Sequence, residues 1–494
     1  MLKEVRIVEY RKISTVLKRY SFEQKMNISH EYSIPWVNGV DESLARTGWP
    51  LPWELEAFVL LSIISREWYS NSFDGRNQHV FLDIISCIRK YIPPKISASV
   101  GTPALIKYFA ISAGLTQLEI QENHIYKLFR YNYFFNFSND RIDMPTVFRG
   151  KFGCSYKEVL SAILGVLLSY SVLKEGLSPK ESAALYRLYP EIMNNLRISR
   201  DDYISKLNEI TPDYRDYNYC LRPSCSYPFI VDNEEIYLPL PHLLLQSITS
   251  SLLFRLTDGR NDLQKTIGKE VIEAYLFKII CASKAFDEVL PEKQYSVGHQ
   301  HNLLTADVMA KKDSCVVFFD SKSFSPKIDS RILCDSAIEA DTARLADGIV
   351  QIYKHIHNKF QTEYDFFDPK VDAPMDYRFG LIIIKTDPHI QLEDIYKYAA
   401  EKLGIDIDSP EYVWLCLHIG FADLYDVERF CFTQSDICAI LLKRAASGEL
   451  YSPWLLELPG NNEDFICGEV KDFADKVYAF ALESLKRIES AARE

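Results

Sequence analysis

The sequence contains no long apolar run and no excess of basic residues. The longest apolar stretch, Leu160 to Leu173, is interrupted by serines and a tyrosine, and it is shorter than the roughly 20 residues that a membrane-spanning helix needs. The sequence MLKEVRIVEYRK at the N-terminus lacks the apolar segment of a secretory signal. A net charge of −12 argues against a chain that coats nucleic acid over its whole surface. It leaves room for a nucleic-acid enzyme, because one local basic groove is enough.

Several motifs are absent as well. We find no glycine-rich phosphate loop that would indicate ATP binding, no Ser-His-Asp or catalytic cysteine pattern and no internal repeat. The 11 cysteines are scattered, and most lie inside apolar runs, where cysteine acts as a small apolar side chain. Cys220 and Cys225 could begin a zinc site, but no second pair follows at a suitable spacing. The chain is therefore expected to be cytoplasmic, without a membrane anchor or a disulfide framework.

The 494 residues, of which 47% are hydrophobic, are enough for two or three domains with buried cores. We predict a mainly helical N-terminal region over residues 1–257, a second domain over 258–445 and a helical C-terminal extension over 446–494. The polar break Asp258 to Asp262 marks the first boundary. In the N-terminal region, four segments carry apolar residues at helical spacing and are predicted to be helices: Trp53 to Trp68, Val80 to Tyr91, Ser155 to Leu173 and Pro179 to Leu196. A hairpin is predicted over Pro228 to Leu238, and a fifth helix follows it over His242 to Leu256.

The second domain alternates between helical and strand patterns. Its strand-rich section spans 289–324, and a final helix is expected over Asp464 to Ala492. The other predicted elements are, in chain order, a helix over Leu263 to Cys281, a helix over Asp335 to Lys359, a strand over Tyr377 to Lys385, a helix over Leu392 to Leu403 and a strand over Tyr412 to Gly420. This order of helix, strand-rich section, helix and strand predicts an α/β fold whose strands are joined through a helix.

The most informative segment is Thr305 to Lys322, TADVMAKKDSCVVFFDSK. It is typical of two short strands joined by a polar turn, with Asp307 on the first strand and Asp320 near the end of the second. Because side chains alternate between the faces of a strand, Asp320 and Lys322 share one face.

The position of the turn decides whether Asp307 joins them. A turn in the polar stretch 311–314 that places Ala310 opposite Cys315 also places Asp307 opposite Phe318, on the face of Asp320. A turn centre half a residue away would put Asp307 on the other face.

The helix before these strands supplies two further acids, Glu270 and Glu273. At 100° per residue, Glu270 points nearly opposite the apolar stripe, towards solvent, whereas Glu273 lies at its side and could reach a strand end. We prefer Glu273 for the site. Taken singly, each residue also has a structural explanation: Glu273 as a surface glutamate, Asp320 as a turn residue and Lys322 as a solvated strand end.

Acids inside apolar strands cost free energy unless a cation or a donor meets them. We expect Asp307 and Asp320 to hold Mg²⁺ or Mn²⁺ through oxygen, with the carbonyl of Ser321 as a further ligand. Lys322 would orient or help to deprotonate the attacking water and stabilise negative charge. Glu273 would hold a second ion or a metal-bound water. This chemistry suits the hydrolysis of a phosphodiester.

The order of these residues resembles the motif of the PD-(D/E)xK, or restriction-endonuclease-like, nuclease superfamily. That motif has a glutamate on a helix, an aspartate on a strand and then Asp-x-Lys on the next strand. The resemblance covers residues 260–425, and four residues match its motif: Glu273, Asp307, Asp320 and Lys322. The order of elements also fits the core of that family, αβββαβ, so the resemblance implies a mixed sheet flanked by helices. The chain departs from the pattern in having Ala306 in place of the motif proline, and Asp320 in place of the commoner glutamate. Gln351 resembles a glutamine that lies beside the metal in several branches of the family, and His355 stands where some branches have tyrosine.

The resemblance implies a metal-dependent endonuclease that acts on DNA, with a role in prokaryotic anti-phage defence or restriction. The helical N-terminal region would then sense, bind DNA or recruit a protein partner, and a homodimer would fit enzymes that cut both strands. Two alternatives stay open. One is an RNase that uses the same site, and the other is a non-catalytic binding or scaffold protein with a nuclease-like fold, for which the acidic net charge argues.

Overall fold

The computed structural model describes residues 12–494 except 40, 72, 74–77, 92–93, 115–121, 174–175, 211–222, 324–325, 327, 360–362, 364, 386–388, 434 and 449–467. Cys220 of the considered zinc pair and the start of the 446–494 extension lie outside the described residues. The described part is a mixed α/β structure.

The N-terminal region is mainly helical, as predicted. Besides a helical stretch over 12–17 and a short 3-10 turn over Ile34–Trp36, its helices span Phe22–Ser33, Glu42–Arg46, Pro52–Ile64, Gln78–Lys90, Pro94–Ala98, Ala104–Ala113, His124–Asn136, Met144–Phe152, Tyr156–Leu173, Pro179–Leu188, Pro190–Leu196, Arg200–Ile210, Pro223–Ser226, Leu244–Ile248 and Ser250–Thr257.

Two of the predicted helices are broken. The helix predicted over Pro179 to Leu196 ends at Leu188, and a second one begins at Pro190, because proline lacks the N–H that would continue the first. The helix predicted over His242 to Leu256 begins as a 3-10 turn, Pro241–Leu243, and breaks at Thr249, whose backbone is not helical.

A small sheet lies in the same region. It comprises β1 (Arg197–Ser199), β2 (Phe229–Asp232) and β3 (Glu235–Tyr237), in the order β1-β2-β3. The first pair is parallel and the second antiparallel. Asn233 and Glu234 form the turn with φ of 49° and 69°, the backbone that a tight two-residue hairpin requires. The predicted hairpin is thus confirmed.

The central sheet has five strands in the order β10-β9-β8-β7-β4. They are β4 (Glu288–Pro291), β7 (Val308–Lys312), β8 (Cys315–Lys322), β9 (Arg378–Ile384) and β10 (Ile419–Asp423). The pairs β4/β7 and β7/β8 are antiparallel, and β8/β9 and β9/β10 are parallel. A separate hairpin between β4 and β7 consists of β5 (Gln294–Val297) and β6 (Gln300–Leu304).

Helices surround this sheet. A continuous helix runs through Asn261–Thr266, a π-helical segment Ile267–Ile272 and Glu273–Ser283. The remaining helical segments are Ile328–Arg331, Asp335–Lys354 with a π turn over His355–Lys359, the 3-10 turn Met375–Tyr377, Leu392–Leu403, Pro410–His418, Leu424–Phe432, Ile437–Ser447 and Gly468–Ala491.

The strand predicted over Tyr412 to Gly420 is wrong over most of its length, because Pro410–His418 is a helix and the strand begins only at Ile419. Ser409 caps this helix by accepting a hydrogen bond from the N–H of Tyr412, and Pro410 occupies its first turn, where proline is favoured. The local start signals outweigh the strand propensity of the aromatic and β-branched residues that follow.

The two faces of the central sheet are buried in different cores. Phe318 and Ile382 lie in one core with Ile349 and Ile352 of the Asp335–Lys354 helix. The opposite face, including Val317 and Phe319, lies in a core that draws helices from the whole chain: His124–Asn136, Tyr156–Leu173, Glu273–Ser283, Leu424–Phe432 and Gly468–Ala491. The domain boundaries stay a prediction, but this apolar core continues across residue 257.

No single described helix is long and apolar enough to cross a membrane. Met144–Phe152 and the helix after it, taken as one pair bent by 67°, together reach that length and composition.

Candidate active site at the end of the central strand

The β7–β8 hairpin brings Asp307 and Asp320 together. The register places Lys312 opposite Cys315 and Val308 opposite Phe319, so that Asp307 lies level with Asp320. The predicted register was therefore wrong: the turn is tighter than expected, with Asp313 at a φ of 52°. The shift moves each partner by two residues, and a shift of two leaves every side chain on its predicted face.

The end of β8 is held by a hydrogen bond from the side chain of Asp307. The backbone N–H of Ser321 donates to Asp307 Oδ2 at 2.6 Å. Asp307 itself directly precedes β7, at the end of the sheet where β8 finishes. The bond keeps the Asp307 carboxylate at this strand end.

Lys322, Asp320 and Gln351 form a closed set of contacts. Lys322 Nζ lies 2.5 Å from Asp320 Oδ2 and donates to Gln351 Oε1 at 2.8 Å. Gln351 Nε2 donates in turn to Asp320 Oδ1 at 3.3 Å. Lys322 Nζ and Gln351 Nε2 thus approach the two different oxygens of the Asp320 carboxylate. The side chain of Asp320 is only 2% exposed, and this network is its main source of polar partners.

Glu273 reaches the same end of the sheet through the π-helical segment. Its backbone N–H donates to the carbonyl of Gly268, five residues earlier, where an α-helix would bond four residues back. At Gly268 the helix touches the chain just after β8, because a Cβ built there would lie 2.7 Å from the Cβ of Ser323. The wide turn and the missing side chain allow the helix to approach the strand end closely.

The π segment also changes the position of Glu270. We expected it to face solvent, but its side chain is only 14% exposed and forms a 2.9 Å ion pair with Arg141. Asn139 donates a second bond to the same carboxylate. A helical wheel drawn at 100° per residue predicts the wrong direction for Glu270, because a π turn contains more residues than an α turn.

Burial and mutual repulsion raise the pKa values of the acids at the site. Burial, together with the nearby charges of Asp307 and Glu292, raises the pKa of Glu273 to about 8. Burial and the charge of Asp320 raise the pKa of Asp307 to about 7. Burial also raises the pKa of Asp320 above its usual range, although Lys322 opposes this effect. Near neutral pH the cluster therefore retains protons that a cation could replace.

Two residues near the site were missed in the sequence. Glu292 directly follows β4, and its charge raises the pKa of both Glu273 and Asp307. Lys269, on the π segment, lies 3.6 Å from Glu292 and lowers the pKa of Glu273. The signal was available for Glu292, since it is an acid at the end of a strand that pairs with β7.

A series of buried hydrogen bonds lies next to the site. The Nδ1–H of His355, one helical turn after Gln351, donates to Glu363 Oε1 at 2.8 Å, and the hydroxyl of Tyr295 donates to the same oxygen at 2.8 Å. Glu363 is fully buried, and its Oε2 has no hydrogen-bond partner among the described residues. The charge of His355 lowers the pKa of Asp320, which places the imidazole close to the site. Sequence reasoning missed Glu363 and Tyr295.

The residues suit a divalent cation in their chemistry. Within the described ranges, no three His, Cys, Asp or Glu side chains are already gathered as a ligand set. The acids nevertheless outnumber the cations, since Glu273, Glu292, Asp307 and Asp320 face Lys269 and Lys322. The raised pKa values show that burial and mutual repulsion of these acids outweigh the nearby cations, and oxygen ligands are those that Mg²⁺ and Mn²⁺ prefer.

Comparison with known proteins identifies no relative. No protein-family model matches the chain, and neither a curated protein nor a solved structure matches it.

Proposed function

We propose that this chain is a metal-dependent nuclease that hydrolyses phosphodiester bonds, with DNA as its substrate. The observation that carries the proposal is the meeting of Asp307, Asp320, Lys322 and Gln351 at one strand end, where buried acids lack enough positive charge. The mixed sheet with flanking helices is compatible with the PD-(D/E)xK-like core that the motif resembles.

Asp307 and Asp320 are the residues that would hold a divalent ion, with the Ser321 carbonyl and Glu273 as further ligands. A bound ion supplies a lowered pKa for its water and neutralises charge on the phosphate. The chain's own part is to present these oxygens, to keep them from swinging away and to hold them in a low-dielectric setting. The Ser321 N–H and the Gln351 amide perform the second task.

Lys322 is placed to act on the reacting groups. Its ammonium group lies between Asp320 and Gln351, where it can orient a water and donate to the oxygen on which negative charge develops. Gln351 is a positioning residue, because it bonds both Lys322 and Asp320 and fixes one relative to the other.

The proposal is tested by incubating the purified chain with supercoiled plasmid in Mg²⁺, Mn²⁺ or EDTA. The wild type should nick or cut with metal only. Lys322→Ala and Asp320→Ala should lose at least about a hundredfold in rate, the order of loss seen when one charged transition-state contact is removed. Lys312→Ala is the matched control, because Lys312 lies at the other end of the hairpin and pairs with Asp436.

Full activity of Lys322→Ala would overturn the assignment. Folded protein that cuts neither DNA nor RNA, and whose Mn²⁺ titration shows no binding that Asp307→Ala removes, would instead support the non-catalytic alternative. Cutting of single-stranded RNA but not of DNA would move the substrate to RNA without changing the site.

A further inference from the structure

Two adjacent aromatic side chains lie on the surface of the N-terminal region. Trp68 and Tyr69 are each 64% exposed, and they belong to the segment 65–71, which follows the Pro52–Ile64 helix. Large aromatic side chains usually bury most of their surface, because that burial is strongly favourable. Two exposed rings side by side therefore indicate a surface that binds a partner.

Backbone hydrogen bonds fix the position of this segment. The N–H groups of Trp68 and Tyr69 both donate to the carbonyl of Lys18, at 2.7 and 3.2 Å, and the N–H of Asn71 donates to the carbonyl of Arg19 at 3.1 Å. The exposed rings are thus carried by backbone that is already ordered. A partner that binds them has little conformational entropy of the protein to overcome.

The same hydrogen bonds bring basic side chains beside the rings. The segments 12–20 and 65–71 carry four basic residues and one acid, in a chain of net charge −12: Lys12, Lys18, Arg19, Arg66 and Glu67. The acid is already paired, since Glu67 lies 2.5 Å from Lys25 and 2.9 Å from Arg200. Lys18 Nζ lies 4.5 Å from the centre of the Trp68 ring. The surface around the rings is therefore locally positive.

Arg66 has an acidic neighbour of its own. It forms an ion pair with Asp201, and the two side chains are 59% and 78% exposed. An ion pair this exposed to water contributes little free energy, so a phosphate can compete for the arginine. Arg19 is exposed as well.

Exposed rings beside basic side chains match the two parts of a single-stranded nucleic acid. Unpaired bases stack on aromatic rings, and basic side chains meet the phosphates. A duplex offers its phosphates but keeps its bases stacked inside. A membrane surface favours a wider apolar face, whereas the polar side chains of Ser70 and Asn71 follow the two rings and are exposed.

We refer to five residues together as the aromatic patch: Trp68, Tyr69, Lys18, Arg19 and Arg66. We propose that this patch binds single-stranded DNA, with unpaired bases stacked on its two rings and phosphates next to its three cations. The patch contains none of the candidate active-site residues, so its binding does not depend on the proposed nuclease activity. Only the choice of DNA over RNA rests on the proposed function.

Fluorescence anisotropy of the full chain with a labelled oligothymidylate tests the proposal. An oligonucleotide of about 12 nucleotides covers a typical single-strand site, and EDTA prevents metal-dependent cleavage. The wild type should bind with a Kd of about 1 to 100 µM. Trp68→Ala should bind about tenfold more weakly, the loss expected for one stacked base, and Trp68→Phe should lose less because it keeps a ring.

Tyr478→Ala is the matched control. Tyr478 is 59% exposed on the Gly468–Ala491 helix, so the substitution also removes an exposed ring, and this variant should bind as the wild type does. Circular dichroism and the melting temperature of each variant establish that it is folded.

Two further measurements separate stacking from charge. An abasic oligonucleotide of the same length keeps the phosphates and lacks the bases, so it should bind more weakly and equally to the wild type and Trp68→Ala. Arg19→Ala should lower the slope of log affinity against log salt concentration by about 0.7, the value for one phosphate contact on a single strand.

Four results would overturn the proposal. They are no binding of the oligothymidylate below about 100 µM, equal binding by folded Trp68→Ala, equal binding of the abasic strand, and binding of oligouridylate alone. Attachment to phosphatidylserine vesicles, or self-association in sedimentation, that Trp68→Ala abolishes while DNA binding is unchanged would assign the patch to a membrane or to a second copy.

The outcomes for the patch and for the proposed nuclease can be told apart. Oligothymidylate binding that Trp68→Ala weakens, in a chain that cuts no plasmid, would support the patch and contradict the nuclease. Metal-dependent cutting by a chain whose binding Trp68→Ala leaves unchanged would do the reverse.

Discussion

Asp307 accepts a 2.6 Å hydrogen bond from the backbone N–H of Ser321, so the carboxylate from one strand holds the end of the next. The same bond lowers the pKa of Asp307, while burial and the charge of Asp320 raise it more strongly. The result is a pair of acids held together in spite of their repulsion. Such an arrangement has measurable consequences for stability, for metal binding and for catalysis.

The first prediction concerns stability against pH. An acid whose pKa is raised on folding holds more protons in the folded state, so its folded form loses stability as pH rises from the unfolded value to the folded one. For Asp307 and Glu273 that window runs from their usual values to about 7 and about 8. We expect urea unfolding to show a loss of several kcal/mol across this window without metal, because the pKa of each acid is raised by about three and one pKa unit corresponds to about 1.4 kcal/mol.

Asp307→Asn should remove much of this slope, because an amide does not titrate. Asp83→Asn serves as the control, since Asp83 is exposed on the Gln78–Lys90 helix. Equal slopes for Asp307→Asn and the wild type would contradict the assignment of the pH dependence to this site.

The second prediction concerns metal binding. The ligand acids must lose their protons, so Mn²⁺ affinity should rise with pH through the raised pKa values of Asp307 and Glu273. Glu292→Gln removes a charge that raises both, and should shift the rise to lower pH. Calorimetric Mn²⁺ titrations over a pH series measure the shift. An unchanged profile would mean that Glu292 does not act on the ligand set.

The third prediction concerns the π-helical segment. Gly268→Ala would put a Cβ 2.7 Å from the Cβ of Ser323, so it should destabilise the fold by about 1–3 kcal/mol and lower cleavage by displacing Glu273. Ser323→Gly in the same chain should restore both, because it removes the atoms that clash. Gly150→Ala is the matched control, since it lies on a helix with no atom within 4 Å of the added Cβ. Failure of the double variant to recover stability would show that the clash is not the cause.

The fourth prediction concerns the buried hydrogen bonds among Tyr295, Glu363 and His355, which lie near Asp320. Glu363 is fully buried and accepts from both His355 and Tyr295, so Glu363→Gln should cost about 1–3 kcal/mol in denaturant unfolding. It should also move the pH profile of cleavage, because the charge of His355 acts on Asp320. Tyr295→Phe removes one hydrogen bond and keeps the one between His355 and Glu363, so it should cost less and leave the pH profile in place. If Glu363→Gln does not move the pH profile of cleavage, these hydrogen bonds have only a structural role.

Much of the fold could be predicted locally. Helical spacing of apolar residues located several helices to within a few residues, as in Gln78–Lys90 and Tyr156–Leu173, and the β9 strand was found because its apolar run is continuous. Other helices, such as Phe22–Ser33, His124–Asn136 and Leu424–Phe432, were not predicted. The errors lie where two local signals compete. The helix Pro410–His418 combines strand-forming residues with a strong cap, and the cap prevailed.

The grouping of Asp307, Asp320 and Lys322 was predictable because strand alternation has a period of two, and an error of two residues in register leaves the faces unchanged. Gln351 was placed by its resemblance to a family position. The carboxylates could be identified as candidate site residues from the sequence, because they are titratable groups next to apolar strands.

The sequence by itself determined the type of most of the elements that were predicted, the faces of β7 and β8 and the kinds of groups at the strand end, because these follow from local periodicity and side-chain chemistry. Only the tertiary structure decided the π turn that brings Glu273 to the site, the contribution of Glu292 and the Tyr295–Glu363–His355 chain. These depend on long-range packing between segments far apart in the chain, and on burial, which sets the pKa of an acid and cannot be read from its neighbours in sequence.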